Sequence, residues 1–384
     1  MGARKRAHRA QNFISLTLVI ILTVKALEAG TLSVKSSFIT VKRSWEIRLR
    51  GFLAAEALIW LSLLAYHSIS YYRGFLGSTA QSAVVYLAFI YSLYSLGFYL
   101  LASLDKVKQS KALLAATALK KILRGIAQFV KNGPKDYTHP LSQISKTEKR
   151  ALLFSIVKFY FIPMMLTFLV GNYDSFRGAL NGLGPVNQLF TVGNFNNLVY
   201  PMFFALFLVI DTGFFAFGYI FESGRLKNSL RSVEPTILGW LVLLLCYPPF
   251  NGLVGNYVPW YGNDYASFAS PTATFWLRLV ALLLMGFYAS ASVALGPKAS
   301  NLTNRGIVDY GAYRIVRHPA YISKNLAWWI SLLPVLSLPA IGGMLVWSFI
   351  YFMRAITEER HLSADPDYVA YCKKVKYRFI PGLI

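Results

Sequence analysis

Two short segments in the last quarter of the chain combine residue types that can do chemistry. The first segment, Ser300–Trp329, contains the sequence Arg-His-Pro-x-Tyr, in which His318 lies among basic and aromatic residues. The second has the pattern Arg-x-x-x-Glu-Glu, formed by Arg354, Glu358 and Glu359. Residues four apart share one face of a helix, so Arg354 and Glu358 should project together. Two carboxylates opposite a cationic, aromatic wall can hold a ligand with an ammonium, a sulfonium and ribose hydroxyls.

Simpler roles are open for the same residues. A basic loop between apolar segments can anchor helices at the cytoplasmic membrane face, where Lys and Arg accumulate. The arginines and glutamates can equally form an ordinary cytoplasmic salt-bridge cluster. The chemistry therefore depends on whether the two segments meet, and that depends on the elements that carry them.

The composition is that of a membrane protein. Of 384 residues, 55% are hydrophobic and only 14% are charged, whereas soluble domains carry about 25% charged residues. The net charge of +23 is typical of a cytoplasmic excess of Lys and Arg that attracts anionic lipid. The basic residues are scattered over many loops, which argues against nucleic-acid binding. Cys246, Cys372 and the five histidines show neither disulfide nor metal-ligand spacing.

Several apolar segments reach the length of about 20 residues that a membrane-spanning helix needs. An earlier apolar run, Phe13–Val24, is too short, and we predict that it forms either a retained interfacial helix or a first span. The predicted spans are Gly51–Tyr72, Ala83–Leu104, Ala151–Val170, Leu198–Phe221, Pro235–Leu253 and Thr274–Leu295.

The loops between these segments alternate between basic and charge-poor. The positive-inside rule assigns the basic loops Asp105–Arg150, Glu222–Glu234 and Lys298–Lys324 to the cytoplasm. Within the first of them, apolar residues repeat at helical spacing on one face and basic residues lie largely on the other. We therefore predict a basic amphipathic helix near residues 111–131 that lies on the membrane surface or on another cytoplasmic element.

An apolar segment, Asn325–Arg354, connects the two chemical segments. Pro334 and Pro339 divide it, which predicts a helical hairpin that enters the membrane from the cytoplasmic side and returns. The alternative, one kinked span, would place the charged tail outside, against the positive-inside rule. A hairpin brings its two ends together, so the segments around His318 and Glu358 should face each other at the membrane boundary.

The predicted fold class follows from these assignments. It is an all-α, polytopic transmembrane helical bundle with a C-terminal re-entrant helical hairpin and a cytoplasmic cofactor pocket. Residues 1–234 are expected to form an N-terminal membrane region with about four spans and the amphipathic helix. Residues 235–384 are expected to form a second membrane core with a cytoplasmic C-terminal tail.

The C-terminal third resembles a known family. The sequence Gly-Ala-Tyr-Arg-Ile-Val-Arg-His-Pro-Ala-Tyr from Gly311 to Tyr321, a Pro-containing hairpin, and Arg354-x-x-x-Glu-Glu-x-x-Leu are similar to the isoprenylcysteine carboxyl methyltransferases. Phospholipid N-methyltransferases and related bacterial membrane methyltransferases belong to the same broad group. The resemblance covers roughly Thr274–Ile384, and the portion before it has no counterpart in the compact members of the group.

The resemblance implies an S-adenosylmethionine-dependent methyltransferase with its site at the cytoplasmic face. The acceptor would be a lipidic or prenylated amphiphile in the endoplasmic reticulum or a bacterial inner membrane. Arg354 would orient the acceptor, and Glu359 or His318 would act as general base if the acceptor is a protonated amine. Cofactor-binding residues carried over from the motif are Tyr313, Arg317, His318, Pro319, Tyr321, Glu358 and Glu359; the catalytic set is Arg354, Glu359 and His318, with no metal.

A reductase is the first alternative. The tail from Tyr371 to Pro381 also resembles the end of the membrane sterol reductases, which use NADPH in a similar fold. Those proteins usually carry Asn-Tyr-x-Gly-Asp where this chain has Ala-Tyr-Ile-Ser-Lys from Ala320 to Lys324. They also have Arg-Asp-Glu where this chain has Glu-Glu-Arg from Glu358, and both departures favour the methyltransferase.

A proton-coupled transporter is the second alternative. Transporters use ionisable residues inside membrane spans, and Lys158 and Asp211 fall inside two of the predicted spans. Lys158 can also extend toward the nearer interface. Asp211 can pair with Lys158, line a polar cavity or cap a broken helix.

Overall fold

The computed structural model describes residues 34–133, 140–183 and 191–383, and the helix expected at Phe13–Val24 lies outside them. The described chain is mainly helical. Its principal helices are α1 (Val34–Ser68), α2 (Ser78–Leu101), α3 (Lys111–Asn132), α4 (Lys146–Asn181), α5 (Tyr200–Ile220), α6 (Ile237–Leu244), α7 (Pro271–Leu295), α8 (Pro319–Leu332), α9 (Leu338–Leu362) and α10 (Pro366–Lys374).

Short turns and one strand pair join these helices. Strand β1 (Ser232–Val233) pairs antiparallel with β2 (Thr303–Asn304), with Ser232 opposite Asn304. This pair joins the two regions expected on either side of residue 234, and the division itself stays a prediction. The helical turns are Ser70–Phe75, Leu104–Lys108, Pro140–Gln143, Val192–Asn194, the π-turn Phe195–Val199, Gly224–Leu226, Gly252–Gly255, Gly296–Lys298, Gly311–Arg314 and Leu333–Val335.

Six helices of the described chain are long and apolar enough to cross a membrane. Their surfaces carry many exposed leucine, phenylalanine and tyrosine side chains, which suit a lipid solvent better than water. An all-α bundle of a multi-pass membrane protein is therefore confirmed. The six segments are Val41–Ser68, Ser78–Leu101, Lys146–Asn181, Val192–Ile220, Pro271–Lys298 and Leu338–Leu362.

The prediction of a span at Pro235–Leu253 is wrong. Helix α6 covers only eight of these residues, which corresponds to about 12 Å at 1.5 Å per residue. A hydrocarbon core is about 30 Å thick. Pro248 and Pro249 have no N–H to donate, and each disfavours the helical conformation of the residue before it. The chain therefore leaves the helix at Leu244 and turns, although its hydropathy matches that of a span.

Helices α8 and α9 form the antiparallel pair expected around Pro334 and Pro339. Trp329 Nε1 donates to Ser348 Oγ at 3.0 Å near the closed end of the pair. Ser337 caps α9 by accepting from the Ala340 N–H. The two helices are unequal, because α8 has 14 residues and α9 has 25. Helix α9 by itself is therefore long enough to cross a membrane, whereas α8 is not among the candidate spans of the described chain.

The predicted amphipathic helix is present as α3. Its small residues Ala115 and Ala118 are buried against the bundle, whereas Leu123, Ile126 and Val130 are exposed. Described residues therefore leave most of the apolar face that the sequence pattern identifies exposed. Its contact with a membrane stays a prediction.

A close approach between α5 and the loop after α7 positions one part of the site. Gly218 lies against the backbone of Ala299, and a Cβ at Gly218 would overlap the Ala299 carbonyl oxygen. The next residue, Tyr219, stacks on Phe161 of α4, with ring centroids 5.0 Å apart. The Asn301 N–H donates to the Tyr219 hydroxyl at 2.6 Å, which fixes the loop on the α4–α5 core.

Candidate functional site

A cavity of about 260 Å³ lies where α4, α5, α7, α8 and α9 meet the loop between α7 and α8. This volume is slightly below the roughly 300–1,000 Å³ typical of small-molecule pockets. One end is formed by the Arg-His-Pro-x-Tyr segment and the other by α5. Six of the eight predicted site residues line it, namely Tyr313, Arg317, His318, Tyr321, Arg354 and Glu358.

The two chemical segments meet at Tyr321. The Tyr321 hydroxyl donates to Glu358 Oε2 at 2.5 Å. The His318 ring stacks on the Tyr321 ring, with centroids 5.2 Å apart and planes inclined by 18°. The Arg354 guanidinium carbon lies 4.8 Å from the Tyr321 centroid. One tyrosine therefore contacts the imidazole of the first segment and two of the three charged groups of the second, and Glu358 remains exposed at the mouth.

Arg354 is buried in a cage of aromatic rings. Its guanidinium carbon lies 5.6 Å from the Tyr247 centroid and 5.7 Å from the Tyr351 centroid. Its Nη2 donates to Asn301 Oδ1 at 2.5 Å, while its Nε has no hydrogen-bond partner. A buried guanidinium nitrogen without an acceptor is costly. Arg354 therefore keeps donor capacity for an anionic group that enters the cavity.

Glu359 does not line the cavity. Its Oε1 accepts from Arg317 Nε at 2.8 Å and contacts His318 Nε2 at 3.2 Å. Its Oε2 accepts from Arg378 Nη2 at 2.7 Å. Burial alone would lower the pKa of Arg317, but the Glu359 carboxylate raises it. This arrangement suits a positioning role for Glu359, and the roles in cofactor binding and proton transfer stay predictions.

Pro319 is also outside the cavity lining. It is buried at the first position of α8, where its missing N–H costs nothing and its fixed φ favours the helix start. Its place directly after His318 sets where α8 begins. A structural role accounts for its presence, and direct contact with a cofactor stays a prediction.

The C-terminal tail holds the His-Pro loop in place. The Arg317 N–H donates to the Tyr377 carbonyl at 3.0 Å, and the His318 N–H donates to the Arg378 carbonyl at 2.9 Å. The Tyr371 hydroxyl donates to the Tyr313 carbonyl at 2.8 Å. Loop and tail therefore form one unit at the end of α9.

The inner end of the cavity is polar. Asp211 of α5 accepts from the Tyr288 hydroxyl and the Ser292 hydroxyl, each at 2.5 Å. Lys324 of α8 places its ammonium nitrogen 4.9 Å from the Tyr288 centroid. Lys158 packs against Tyr91 and Phe154 and makes no ion pair with Asp211. The Lys158–Asp211 pair considered from the sequence is therefore not formed, whereas Asp211 does line a polar cavity.

Among the site residues that sequence reasoning missed, four lie close to predicted ones. Two of them follow helical spacing from residues already identified: Lys324 lies three residues after Tyr321, and Tyr351 lies three residues before Arg354, so each shares a helix face with its neighbour. The other two, Asn301 and Tyr247, reach Arg354 from distant parts of the chain. No local pattern connects them to it.

Comparisons with protein-family models, with curated proteins and with solved structures found no match to this chain. Function is therefore inferred from the site itself. The cavity lining carries more positive than negative charge. Within the described residues, no group of three or more His, Cys, Asp or Glu could hold a metal ion. The five cationic residues of the lining are Lys298, Arg305, Arg317, Lys324 and Arg354, against the two carboxylates of Asp211 and Glu358.

Proposed function

We propose that this chain is an integral-membrane, S-adenosylmethionine-dependent methyltransferase that transfers a methyl group to a lipidic or prenylated acceptor. The observation that carries the proposal is the convergence on Tyr321. The Arg-His-Pro-x-Tyr and Arg-x-x-x-Glu-Glu segments, which together resemble the isoprenylcysteine carboxyl methyltransferases, contact each other through this side chain beside one cavity.

The residues at the cavity mouth fit the proposed cofactor. The aromatic side chains of Tyr313, Tyr321 and His318 line the cavity, and ring quadrupoles attract positive charge such as that of a sulfonium. Glu358 is exposed and can accept hydrogen bonds from ribose hydroxyls or from an ammonium group. When bound, the cofactor supplies a methyl group on a positively charged sulfur.

The residues of this chain would then position the acceptor and exclude water. Arg354 can orient an anionic acceptor through its unpaired Nε, and its aromatic cage keeps the guanidinium desolvated. Positioning of two reactants can contribute about 7–11 kcal/mol to barrier reduction. A carboxylate acceptor needs no base, whereas a protonated amine needs one, and His318 is the imidazole in contact with the cavity.

The proposed topology opens the cavity mouth to the cytoplasm. Helix α8 has 14 residues, or about 21 Å, which is shorter than the roughly 30 Å hydrocarbon core. This length supports a re-entrant α8, and α9 would return the chain to the cytoplasmic side although it is long enough to cross a membrane. The basic character of Lys298–Lys324 supports its cytoplasmic side. The membrane is that of the endoplasmic reticulum or a bacterial inner membrane, and acceptor and bulk lipids are the proposed partners, with no nucleic acid.

Cofactor binding tests the proposal directly. Full-length protein purified in detergent is heated with S-adenosylmethionine, with S-adenosylhomocysteine and with NADPH in separate samples. Either of the first two ligands should raise the unfolding midpoint, because a ligand at 100 times its Kd stabilises the native state by about 2.7 kcal/mol. Glu358→Ala should abolish that rise.

Glu46→Ala is the matched control, because Glu46 is an exposed carboxylate on α1, far along the chain from the cavity. It should keep the full ligand-induced rise. An unchanged rise in Glu358→Ala would contradict the site assignment. No rise with either S-adenosyl ligand in the wild-type protein would contradict the proposed function.

A second candidate is the NADPH-dependent membrane reductase. The excess of cationic residues in the cavity lining favours it, because NADPH carries several phosphate charges. Stabilisation by NADPH with no response to S-adenosylmethionine would select this candidate. A transporter would be stabilised neither by NADPH nor by S-adenosylmethionine.

A further inference from the structure

Three cationic side chains surround one buried aromatic ring beside the cavity described above, and one of them, Arg305, also lines that cavity. The ring belongs to Phe154 in the third turn of α4, and it is 2% exposed. Lys111 Nζ lies 4.6 Å from its centroid, Lys158 Nζ 5.3 Å and the guanidinium carbon of Arg305 5.3 Å. The cations come from the start of α3, from α4 and from the loop after β2. Three separate segments thus place positive charge around one point.

A single carboxylate balances these charges. Lys111 Nζ donates to both oxygens of Glu222, and Glu222 Oε1 also accepts from the Leu230 N–H at 2.9 Å. In the described part of the chain, no other ion pair involves Lys111, Lys158 or Arg305. Three cations and one carboxylate leave a surplus of two positive charges. Burial lowers the pKa of Lys111, and Glu222 offsets this effect only in part.

Arg305 carries an unmet hydrogen-bond donor in this cluster. Its side chain belongs to a residue that is only 2% exposed, and its Nη2 has no hydrogen-bond partner. The bonds from Nη1 to the Asn228 carbonyl and from Nε to Thr303 Oγ1 are long, at 3.4 Å each. Burying a guanidinium with so few acceptors is unfavourable unless an anion compensates it.

The cluster lies where helices begin and end. Helix α3 starts at Lys111, shortly after α2 ends, and Glu222 follows the end of α5 by two residues. The exposed apolar face of α3 extends away from Lys111 and is suited to the headgroup level of a bilayer. The Lys111 side chain keeps 36% of its surface exposed, so one edge of the cluster opens at the surface of the bundle.

We propose that Lys111, Lys158 and Arg305 form a binding site for the phosphate group of an anionic membrane lipid. Basic pockets between transmembrane helices on the cytoplasmic side are known to suit such headgroups. A phosphate oxygen would give the Arg305 Nη2 an acceptor, and its charge would balance the surplus that Glu222 leaves. The acyl chains would lie along the outer surface of the bundle. The site does not depend on the proposed methyltransferase activity.

Lipid titration of the full-length protein in neutral detergent tests this site. Phosphatidylglycerol serves as the anionic lipid, phosphatidylcholine as the lipid with a phosphate but no net charge, and inorganic phosphate as the free anion. Binding is followed by native mass spectrometry and by the unfolding midpoint. Phosphatidylglycerol should bind and stabilise the wild-type protein, and Lys158→Gln should weaken its binding at least tenfold.

Lys120→Gln is the matched control, because it removes the same charge from an exposed position of α3. It should leave phosphatidylglycerol affinity within about twofold, as expected for a screened surface charge. If Lys158→Gln fails to fold, Glu222→Gln provides the test. Its affinity for phosphatidylglycerol should rise rather than fall, because the competing carboxylate is lost.

Three results would each overturn the proposal. The first is equal stabilisation by phosphatidylglycerol and phosphatidylcholine. The second is an equal loss of affinity in Lys158→Gln and Lys120→Gln, or, where Glu222→Gln is used, no gain in affinity. The third is full stabilisation by inorganic phosphate alone, which would identify the ligand as a free anion rather than a lipid.

Discussion

Replacing Glu359 by glutamine isolates the contribution of one carboxylate to the fold around the cavity. Glutamine keeps the shape of the side chain and one acceptor oxygen. That oxygen can still accept from Arg317 and contact His318. The amide nitrogen then faces the Arg378 guanidinium, where a donor meets a donor. The substitution therefore removes the tie between α9 and the tail without opening a cavity.

The structure sets the size of the effect. Arg378 donates to Glu359 Oε2 twice, from Nε at 3.0 Å and from Nη2 at 2.7 Å. Hydrogen bonds to charged groups contribute about 1.5–3 kcal/mol each. The Arg378 side chain is 26% exposed and can recover water, whereas the Glu359 side chain is 12% exposed. We therefore expect the free energy of unfolding to fall by about 3 kcal/mol, which is the lower end of the range for removing one partner of a buried ion pair.

Denaturant unfolding in mixed micelles measures this loss. Wild type, Glu359→Gln, Arg378→Gln and the double variant form a double-mutant cycle, whose coupling energy reports the pair itself. Glu46→Gln is the control, since the exposed Glu46–Arg50 pair is 3.9 Å long and should contribute about 0.5 kcal/mol or less. A loss below about 1 kcal/mol for Glu359→Gln would refute the positioning role inferred here.

Two further predictions concern carboxylates elsewhere in the fold. Asp211→Leu should lower the free energy of unfolding by about 2 kcal/mol, because two buried hydroxyls lose their acceptor. Asp211→Asn should lower it less. Equal stability of the leucine variant and wild type in the same assay would contradict this prediction. For Asp365, burial raises the pKa, but hydrogen bonds from Arg231 and Asn304 lower it below its usual value overall. Its contribution to stability should therefore be complete at neutral pH and fade as pH falls below about 4. The difference between the unfolding midpoints of wild type and Asp365→Asn should thus hold from neutral pH to about pH 4 and narrow below it. A difference that does not narrow in acid would contradict this prediction.

Hydropathy and proline positions predicted most of the fold but misjudged one apolar segment. The α2 and α7 spans agree with their apolar runs to within a few residues, because a bilayer requires about 20 apolar residues whatever their order. Pro235–Leu253 satisfies the same criterion and yet turns after Leu244. There, two consecutive prolines remove two backbone donors and outweigh hydropathy, whereas the single Pro163 is accommodated inside α4.

The candidate site was only partly predictable for a related reason. His318, Tyr321, Arg354 and Glu358 are visible in the sequence because each pair lies within one helical turn or one short motif. Asn301 reaches Arg354 only through the loop that packs on α5, and no sequence spacing encodes that contact. Glu359 looked equivalent to Glu358 along the chain. Consecutive residues of a helix point in different directions, so Glu359 instead faces the loop and the tail.

The placement of Asp211 has a consequence for how the protein enters its membrane. Asp211 lies in an otherwise strongly apolar helix, and its acceptor oxygens are satisfied by Tyr288 and Ser292, which are 77 and 81 residues further along the chain. During synthesis, α5 must therefore reach the translocon before either hydroxyl exists. A lone aspartate near the centre of an inserting helix costs about 2.5–3.5 kcal/mol, which the surrounding Phe and Leu residues must offset. The bundle thus passes through a stage in which the Asp211 carboxylate of α5 is unpaired. This stage ends when α7 inserts and its two hydroxyls donate to Asp211.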